Sequence, residues 1–438
     1  MPELPLTRRD FTKTAALAGA GFLLTPRVAR AVPLPGERAP LLRVGVVGCG
    51  GRGTGAVRDM MRAGDEDIVL VAMGDLFPDR LKSAQENLVR LAAENPSIAA
   101  KYKVTPEMSF TGIDAYQKVL ATDIDLVILA TPPGFRPMHL EAAINAGKHV
   151  FAEKPVAVDP AGVRRVIAAA RVAEQKKLAI VAGTQRRHDP AYVDVIRRVQ
   201  EGAIGEVMTG QVFWNQGGLW NRDRLPEWSD TEWQLRNWLY LAWLSGDHIV
   251  EQHIHNIDVG NWVMGGHPVK ATGVGGRAQR TDPKYGHIFD HFMVDFEYAD
   301  GRHVTSMCRQ IEGSANFVGE RFQGSRGHTD ANKTITTAAS VYTYAGPTPN
   351  PFINEHTDLL ASIRAGRPLN EGVRVAESTL SAIMGREAAY TGQTITWDAL
   401  LAAPQDLAPP SVAFGAMVLP PVPVPGRTKV ERTFDTGW

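Results

Sequence analysis

The stretch Leu42-Arg43-Val44-Gly45-Val46-Val47-Gly48-Cys49-Gly50-Gly51-Arg52-Gly53 decides the fold of this chain. Its first six residues form a nearly continuous apolar run of strand length, and the run ends on glycines spaced G-x-G-x-x-G. A helical pattern opens at Arg52 and continues to Ala63. Asp75 stands 22 residues after Gly53, just past the next apolar run, Ile68–Met73. The glycine string alone carries little weight. Strand, glycine turn, helix and downstream acid in that order are what a dinucleotide-binding fold requires. Gly48, Gly50, Gly51 and Gly53 let the backbone turn sharply and approach a pyrophosphate. The helix N-terminus, with Arg52 beside it, offers unpaired N–H groups and a partial positive charge. Asp75 is placed to accept hydrogen bonds from an adenosine ribose. A carboxylate there repels a 2′-phosphate, so NAD is expected as cofactor, with NADP as the alternative that Arg80 leaves open.

Outward from this stretch the same rhythm continues. A helix is expected over residues 80–93, a buried strand over Leu126–Leu129 ending in Ala-Thr-Pro-Pro, and a helix over 137–146. A strand over His149–Ala152 and a helix over 160–176 follow. Short apolar strands separated by amphipathic helices imply a parallel sheet with crossovers. After residues 178–183 the texture changes to alternation and tight turns, in 205–214, 271–277, 291–298 and 302–311, which predicts a largely antiparallel sheet. Helices are expected over 250–264, 355–365 and 374–390. The expected fold is thus α/β followed by α+β. A Rossmann domain spans 41–180, a substrate and oligomerisation domain with a large, mostly antiparallel sheet spans 181–400, and a Pro-rich tail spans 401–438.

Upstream, residues 32–40 read as a linker, because two X-Pro pairs and a glycine prevent regular structure. Residues 1–31 read as a removable export signal. Thr7-Arg8-Arg9-Asp10-Phe11-Thr12-Lys13 resembles the twin-arginine motif, a mild apolar stretch runs from Ala15 to Leu24, and Ala29-Arg30-Ala31 offers a small-residue cleavage site. Some ten apolar residues fall short of the about 20 that span a bilayer, so no membrane span is expected. The expected partner of this segment is the twin-arginine (Tat) export machinery, and the expected location is periplasmic or secreted.

The chain carries 47 basic and 47 acidic residues. Loss of residues 1–31 removes Arg8, Arg9, Lys13, Arg27 and Arg30 with Glu3 and Asp10, leaving 42 basic and 45 acidic groups. Without a basic stripe, no nucleic-acid partner is expected. Cys49 and Cys308 suggest no disulfide framework.

Glu153-Lys154-Pro155 after the strand at 149–152 resembles the signature of the glucose-fructose oxidoreductase / inositol dehydrogenase (Gfo/Idh/MocA) family. Ala130-Thr131-Pro132-Pro133 with His139 downstream is similar to that family's nicotinamide-side loop, and Gly205-Glu206-Val207 resembles its entry into the second domain. The resemblance implies cofactor contacts from Thr131, Pro132, His139, Glu153 and Lys154. The family usually carries an Asp four residues before a His beside the nicotinamide. Here Glu251 and His255 stand at that spacing, on one face of the expected helix. His255, with an unperturbed pKa near 6.5, is the candidate general base. Glu251 is expected to orient it, and Lys154 to share the proton relay. The family also implies a homodimer or homotetramer.

Seven of the nine tryptophans fall between Trp214 and Trp262, interleaved with Asn and Arg. Aromatic faces beside amide and guanidinium donors suit a small carbohydrate. Trp214, Asn215, Trp220, Arg236 and Trp238 are candidate substrate residues, with Arg186, His188 and His255. At least half of the tryptophans are expected in core or subunit contacts. His248, His287, Asp290 and His291 show no dedicated ligand spacing, so no metal is expected. The expected function is hydride transfer between a sugar or glycoside carbinol and a tightly bound nicotinamide. An oxidation–elimination glycosidase is the alternative enzyme, and a non-catalytic sugar-binding protein the third reading.

Overall fold

The computed structural model describes residues 41–64, 67–409 and 411–434. The expected signal and linker lie outside the described residues. Strand β1 (Leu42–Val47) is apolar because it is the centre of a six-stranded sheet, flanked by β2 (Ile68–Asp75) and β4 (Leu126–Leu129). With β3 (Ser109–Thr111), β5 (His149–Ala152) and β6 (Ile180–Ala182) the order is β3-β2-β1-β4-β5-β6, every pair parallel. Strand order reverses between β1 and β4, and ligands of open α/β sheets bind outside the strand C-termini at such a point. Helix α1 (Gly51–Ala63) leaves the end of β1, and α2 (Pro78–Glu94) leaves the end of β2 with Pro78 in its first turn. Helix α3 (Arg136–Asn145) follows β4.

Among the described residues the second sheet has nine strands. Its centre is the parallel pair β7 (Val207–Gln216) and β10 (His303–Gln310). Strands β9 (His291–Glu297) and β8 (Lys270–Gly276) continue on one side, and β11 (Phe317–Gly324) pairs antiparallel with β7 on the other. The alternation of buried and open residues along β9 and β10 is the period-2 signal read from the sequence. Helix α7 (Gly372–Thr391), nearly all buried, packs on β8 and β9 and on the helix Pro160–Gln175 of the first sheet, joining the two layers. Strand β11 and the strands within residues 327–343 escaped the sequence reading, the latter being short and rich in Thr. Cys49 and Cys308 are buried free thiols.

One expected element is broken. Residues 250–264 do not form a single helix. A turn at His248–Glu251 ends at Gln252, and α5 starts at Ile254 and runs to Met264. The N–H of His253 reaches back five residues to the carbonyl of His248 (3.1 Å), a π-type turn that shifts the helical phase. Two shorter helices enter the account below: α4 (Asp230–Arg236) and α6 (Pro351–Arg364).

Candidate active site

The glycines of the fingerprint divide into two kinds. Gly48 has φ +94°, and a Cβ there would stand 2.6 Å from the backbone of Ala130 and Thr131. A Cβ on Gly53 would lie 1.8 Å from the Gly48 carbonyl, so only glycine lets α1 pack on the turn. Among the described residues, Gly50 and Gly51 have nothing within 4 Å of such a Cβ. They border a cleft of about 480 Å³ that Gly48, Arg52, Asp75, Thr131, Pro132 and His139 also line. The cradle therefore fits a dinucleotide, because its bare backbone faces the space and the α1 N–H groups point into it. Asp75 accepts hydrogen bonds from the N–H of Cys49 (2.6 Å) and of Phe77 (2.8 Å). Burial raises its pKa, and these two bonds oppose the rise. A carboxylate has lone pairs to spare for ribose hydroxyls. Arg80 lines the same end of the cleft.

Arg52 is tied rather than free. Its guanidinium donates to Glu153 (2.5 Å) and Glu355 (3.4 Å), pairs with Asp59 (3.6 Å) and lies 5.2 Å from the Phe352 ring. It thus locks the start of α1 to the residue before Lys154. Fully buried Arg136 ties the same Glu153 to the end of β4, donating to the carbonyls of Glu153 (2.6 Å), Leu129 (3.0 Å) and Thr131. Neither Arg136 nor the buried Glu355 was found from sequence, since an Arg in an α3-like pattern and a lone Glu carry no motif. The Thr131 hydroxyl meets Nδ1 of His139 at 3.1 Å, and the His139 ring stacks between Tyr116 and Phe135. Burial, then the charge of Arg136, lowers its pKa to about 3, so it stays neutral.

At Lys154 the structure corrects the expected pairing. The Glu251 carboxylate serves Lys154, not His255: Nζ donates to Oε1 at 2.8 Å and to the Glu251 carbonyl at 2.5 Å. The π-type turn between them is the reason, because it takes Glu251 and His255 off a common helical face. His255 stacks instead on Trp214, with ring centres 5.8 Å apart. Its Nδ1 is buried without a hydrogen-bond partner among the described residues. Burial, then the charges of Lys154 and Arg186, hold its pKa well below the usual range. His253 is a packing residue bonded to Ser306 (2.8 Å).

The expected substrate residues separate. Trp214 stays with His255, its indole N–H donating to Gln216 (2.8 Å), but Asn215, the next residue of β7, points to the opposite face of the sheet, its amide nitrogen 3.6 Å from the Met307 sulfur and its side-chain oxygen without a partner among the described residues. Arg186, 6.0 Å from the Trp214 ring, is held by Glu320 (2.5 Å), which also accepts from Asn256 (2.6 Å) and Tyr192 (3.2 Å). His188 lies between Asp358 (2.6 Å) and Glu371 (3.7 Å). Burial would lower its pKa, but the two carboxylates outweigh that and push it up to about 10. A histidine so paired holds elements together and is not open to a hydroxyl or carboxylate. Trp220, Arg236 and Trp238 line the cofactor cleft beside Phe77 and Arg80, so their placement is on the cofactor side. Trp233 and Trp243 are core. Among the described residues no cluster of three or more His, Cys, Asp or Glu is arranged to hold a metal ion, and no helix is long and apolar enough to cross a membrane.

A parallel sheet in this order, a glycine cradle at its switch point and a lysine–carboxylate pair at the end of β5 define a nicotinamide-dependent oxidoreductase. The chain belongs to the Gfo/Idh/MocA family. Residues 42–182 match the oxidoreductase family model with its NAD-binding Rossmann fold, and residues 192–328 match the Gfo/Idh/MocA C-terminal domain. It is 27% identical over 329 residues to inositol 2-dehydrogenase of Rhizobium meliloti, covering 73% of this chain and 86% of that one. It is 26% identical over 340 residues to a glycosyl hydrolase family 109 protein of Shewanella pealeana, covering 72% and 69%. The fold is that of scyllo-inositol dehydrogenase from Lactobacillus casei, solved with NAD(H) and scyllo-inositol (TM-score 0.60, 19% identity, 81% of this chain and 99% of that one). It is likewise that of aldose-aldose oxidoreductase from Caulobacter crescentus (TM-score 0.62, 20% identity, 81% and 99%).

Proposed function

We propose that this enzyme is exported through the twin-arginine route and transfers hydride between a sugar or glycoside carbinol and a nicotinamide dinucleotide that it does not release. The observation that carries the chemistry is the joining of the Lys154–Glu251 pair to the cofactor cradle through Glu153, Arg52 and Arg136. Gly48, Gly50, Gly51 and Asp75 would hold the dinucleotide, and Thr131, Pro132 and His139 its nicotinamide end. When bound, that ring supplies the hydride-accepting carbon. Lys154 donates a hydrogen bond to the carbinol oxygen and stabilises its developing negative charge. Neutral His255 accepts the hydroxyl proton. Trp214 offers an apolar face to the ring C–H groups, with Arg186 as polar flank. NAD is the expected form because Asp75 disfavours a 2′-phosphate, and NADP is the alternative through Arg80.

Free nicotinamide dinucleotide is scarce outside the cytoplasm. An exported enzyme therefore loads cofactor as it folds and regenerates it in place, oxidising one sugar and reducing another, or oxidising and re-reducing the same molecule. The second course is the alternative reading, a redox glycosidase in which oxidation is followed by elimination of the leaving group. The name of the Shewanella relative favours it. The open face of the second sheet, which carries Met208, Val274, Met293, Phe317 and Val341, supports self-association as a homodimer or homotetramer. Purified enzyme without added cofactor, incubated with free sugars and glucosides, tests these readings. Paired ketone and alcohol products support the oxidoreductase, and released aglycone without net NADH supports the glycosidase. Protein that purifies empty overturns cofactor retention, and turnover by Lys154→Ala at the native rate overturns the assigned chemistry.

A further inference from the structure

The Pro-rich tail has a shape that its composition does not announce. Both of its feet are set in the protein interior. Near its start the Gln405 side chain accepts from Arg386 (3.1 Å) and donates to the Val430 carbonyl (2.9 Å), and the Leu407 N–H donates to Asp159 (2.9 Å). Near its end Arg432 forks onto Glu387, both contacts at 2.8 Å, with Gln405 and Glu387 fully buried. Between these feet the chain runs outward and grips α4. The carbonyl of Gly415 accepts from the N–H and hydroxyl of Thr231, both at 3.2 Å. The Met417 N–H donates to Asp230 (3.2 Å), and its carbonyl accepts from Gln234 (3.1 Å).

Helix α4 is the lid side of the cofactor cleft. Its Leu235 and Arg236, with Trp220 and Trp238, line the cleft opposite the strand ends. Arg236 crosses to the first sheet's side and grips Asp79 with two contacts of 3.0 Å, its guanidinium 3.9 Å from the Phe77 ring. Phe414 of the tail stacks on the same Phe77 (6.0 Å, 21°). Phe77 and Asp79 begin the helix that follows Asp75, so latch and strap both close the adenosine end.

We propose that the tail is a strap and the Arg236–Asp79 contact its latch, and that together they hold α4 over the adenosine half of the dinucleotide and set how slowly it leaves. A seven-residue helix has little stability of its own, so its position depends on what grips it. Exit of the cofactor requires α4 to swing away, which parts Arg236 from Asp79 and strips Asp230, Thr231 and Gln234 from the tail. The inference rests on reading the cleft as a nicotinamide-dinucleotide site, and it adds the device that retains the ligand there.

The test is the dissociation rate of NADH, followed by its fluorescence when excess NAD displaces it from full-length holoenzyme. Asp79→Ala removes the latch and Phe414→Ala the tail's contact with Phe77, and neither residue lines the cleft. Each is expected to speed release at least tenfold. The double variant should release less fast than the product of the two effects, since both act on one lid. Arg236→Lys keeps the charge but loses the two-pronged grip, and should match Asp79→Ala even if that variant folds poorly. Release at the native rate by folded Asp79→Ala, Phe414→Ala and Arg236→Lys, all still binding NADH, overturns the strap alone. Failure of the native enzyme to bind NADH or NADPH overturns the nicotinamide reading and the strap with it.

Discussion

The Lys154 ammonium is bonded to both the side chain and the main chain of Glu251, at 2.8 and 2.5 Å, across 97 residues of sequence. Both side chains are only about one-eighth exposed, at 13% and 12%, so each is the other's main source of charge balance. Lys154→Ala should lower kcat by about 10²–10⁴, the usual worth of a positioned proton-handling group. Glu251→Ala should also lower kcat, because an unanchored ammonium no longer points at the substrate oxygen. The two losses should not add in the double variant. Steady-state kinetics of the three variants on any accepted sugar check this. Strict additivity would show that the pair does not work as a unit.

His255 carries a pH prediction. Burial, then Lys154 and Arg186, keep its imidazole neutral far below its usual titration range. The base form is therefore already present below the usual histidine range, and kcat/KM should show no inflection near 6.5 that belongs to this ring. In Lys154→Met a neighbouring cation is gone, the charged imidazole is opposed less, and any acid limb should move to higher pH. A native profile that bends at pH 6.5, with the bend absent in His255→Asn, would contradict this.

The Rossmann half was legible because each signal there is local. Apolar runs gave β1, β4 and β5 nearly to the residue, and the glycine spacing gave the cradle. Lys154 and Glu153 came from a tripeptide in context. What stayed hidden depends on chain geometry that no short pattern encodes. The His253-to-His248 turn displaced Glu251 from His255, and a one-residue phase change leaves no mark in residue type. Tryptophans read as one sugar-binding segment fall at separate places, because β7 ends at Gln216 and the chain then crosses to the cofactor side at Trp220. Arg136, Glu355 and the tail's grip on α4 are long-range contacts, visible only once the layers are assembled.

His139 should make stability acid-sensitive. Its pKa is about 3 in the folded protein, lowered first by burial and then by Arg136, against about 6.5 unfolded. Between these values the unfolded chain holds a proton that the native one does not, so unfolding free energy rises with pH. The contribution is full above pH 6.5 and falls as pH drops towards 3, by up to about 1.4 kcal/mol per unit. His139→Gln should flatten the dependence of stability on pH by close to one proton at pH 5. Denaturant titrations of both proteins from pH 4 to 7 measure the difference, in which the other buried histidines cancel. Parallel curves would place the His139 ring in contact with water.

Two alanine substitutions in the fingerprint should fail in opposite ways. Gly53→Ala puts a methyl 1.8 Å from the Gly48 carbonyl, a contact no side-chain rotation relieves, so α1 must shift off the turn. The expected result is several kcal/mol of lost stability, in the range of severe packing faults, and a low melting temperature before any cofactor is added. Gly51→Ala meets no atom of the described residues within 4 Å, and alanine is the better helix former, so the cofactor-free fold should be as stable as the native one or slightly more so. Its methyl stands instead where a pyrophosphate approaches the backbone. NAD affinity should fall at least tenfold while the melting temperature without cofactor holds. Calorimetry and NADH fluorescence titration separate the two outcomes. Native affinity in Gly51→Ala would mean that the dinucleotide does not lie against the start of α1.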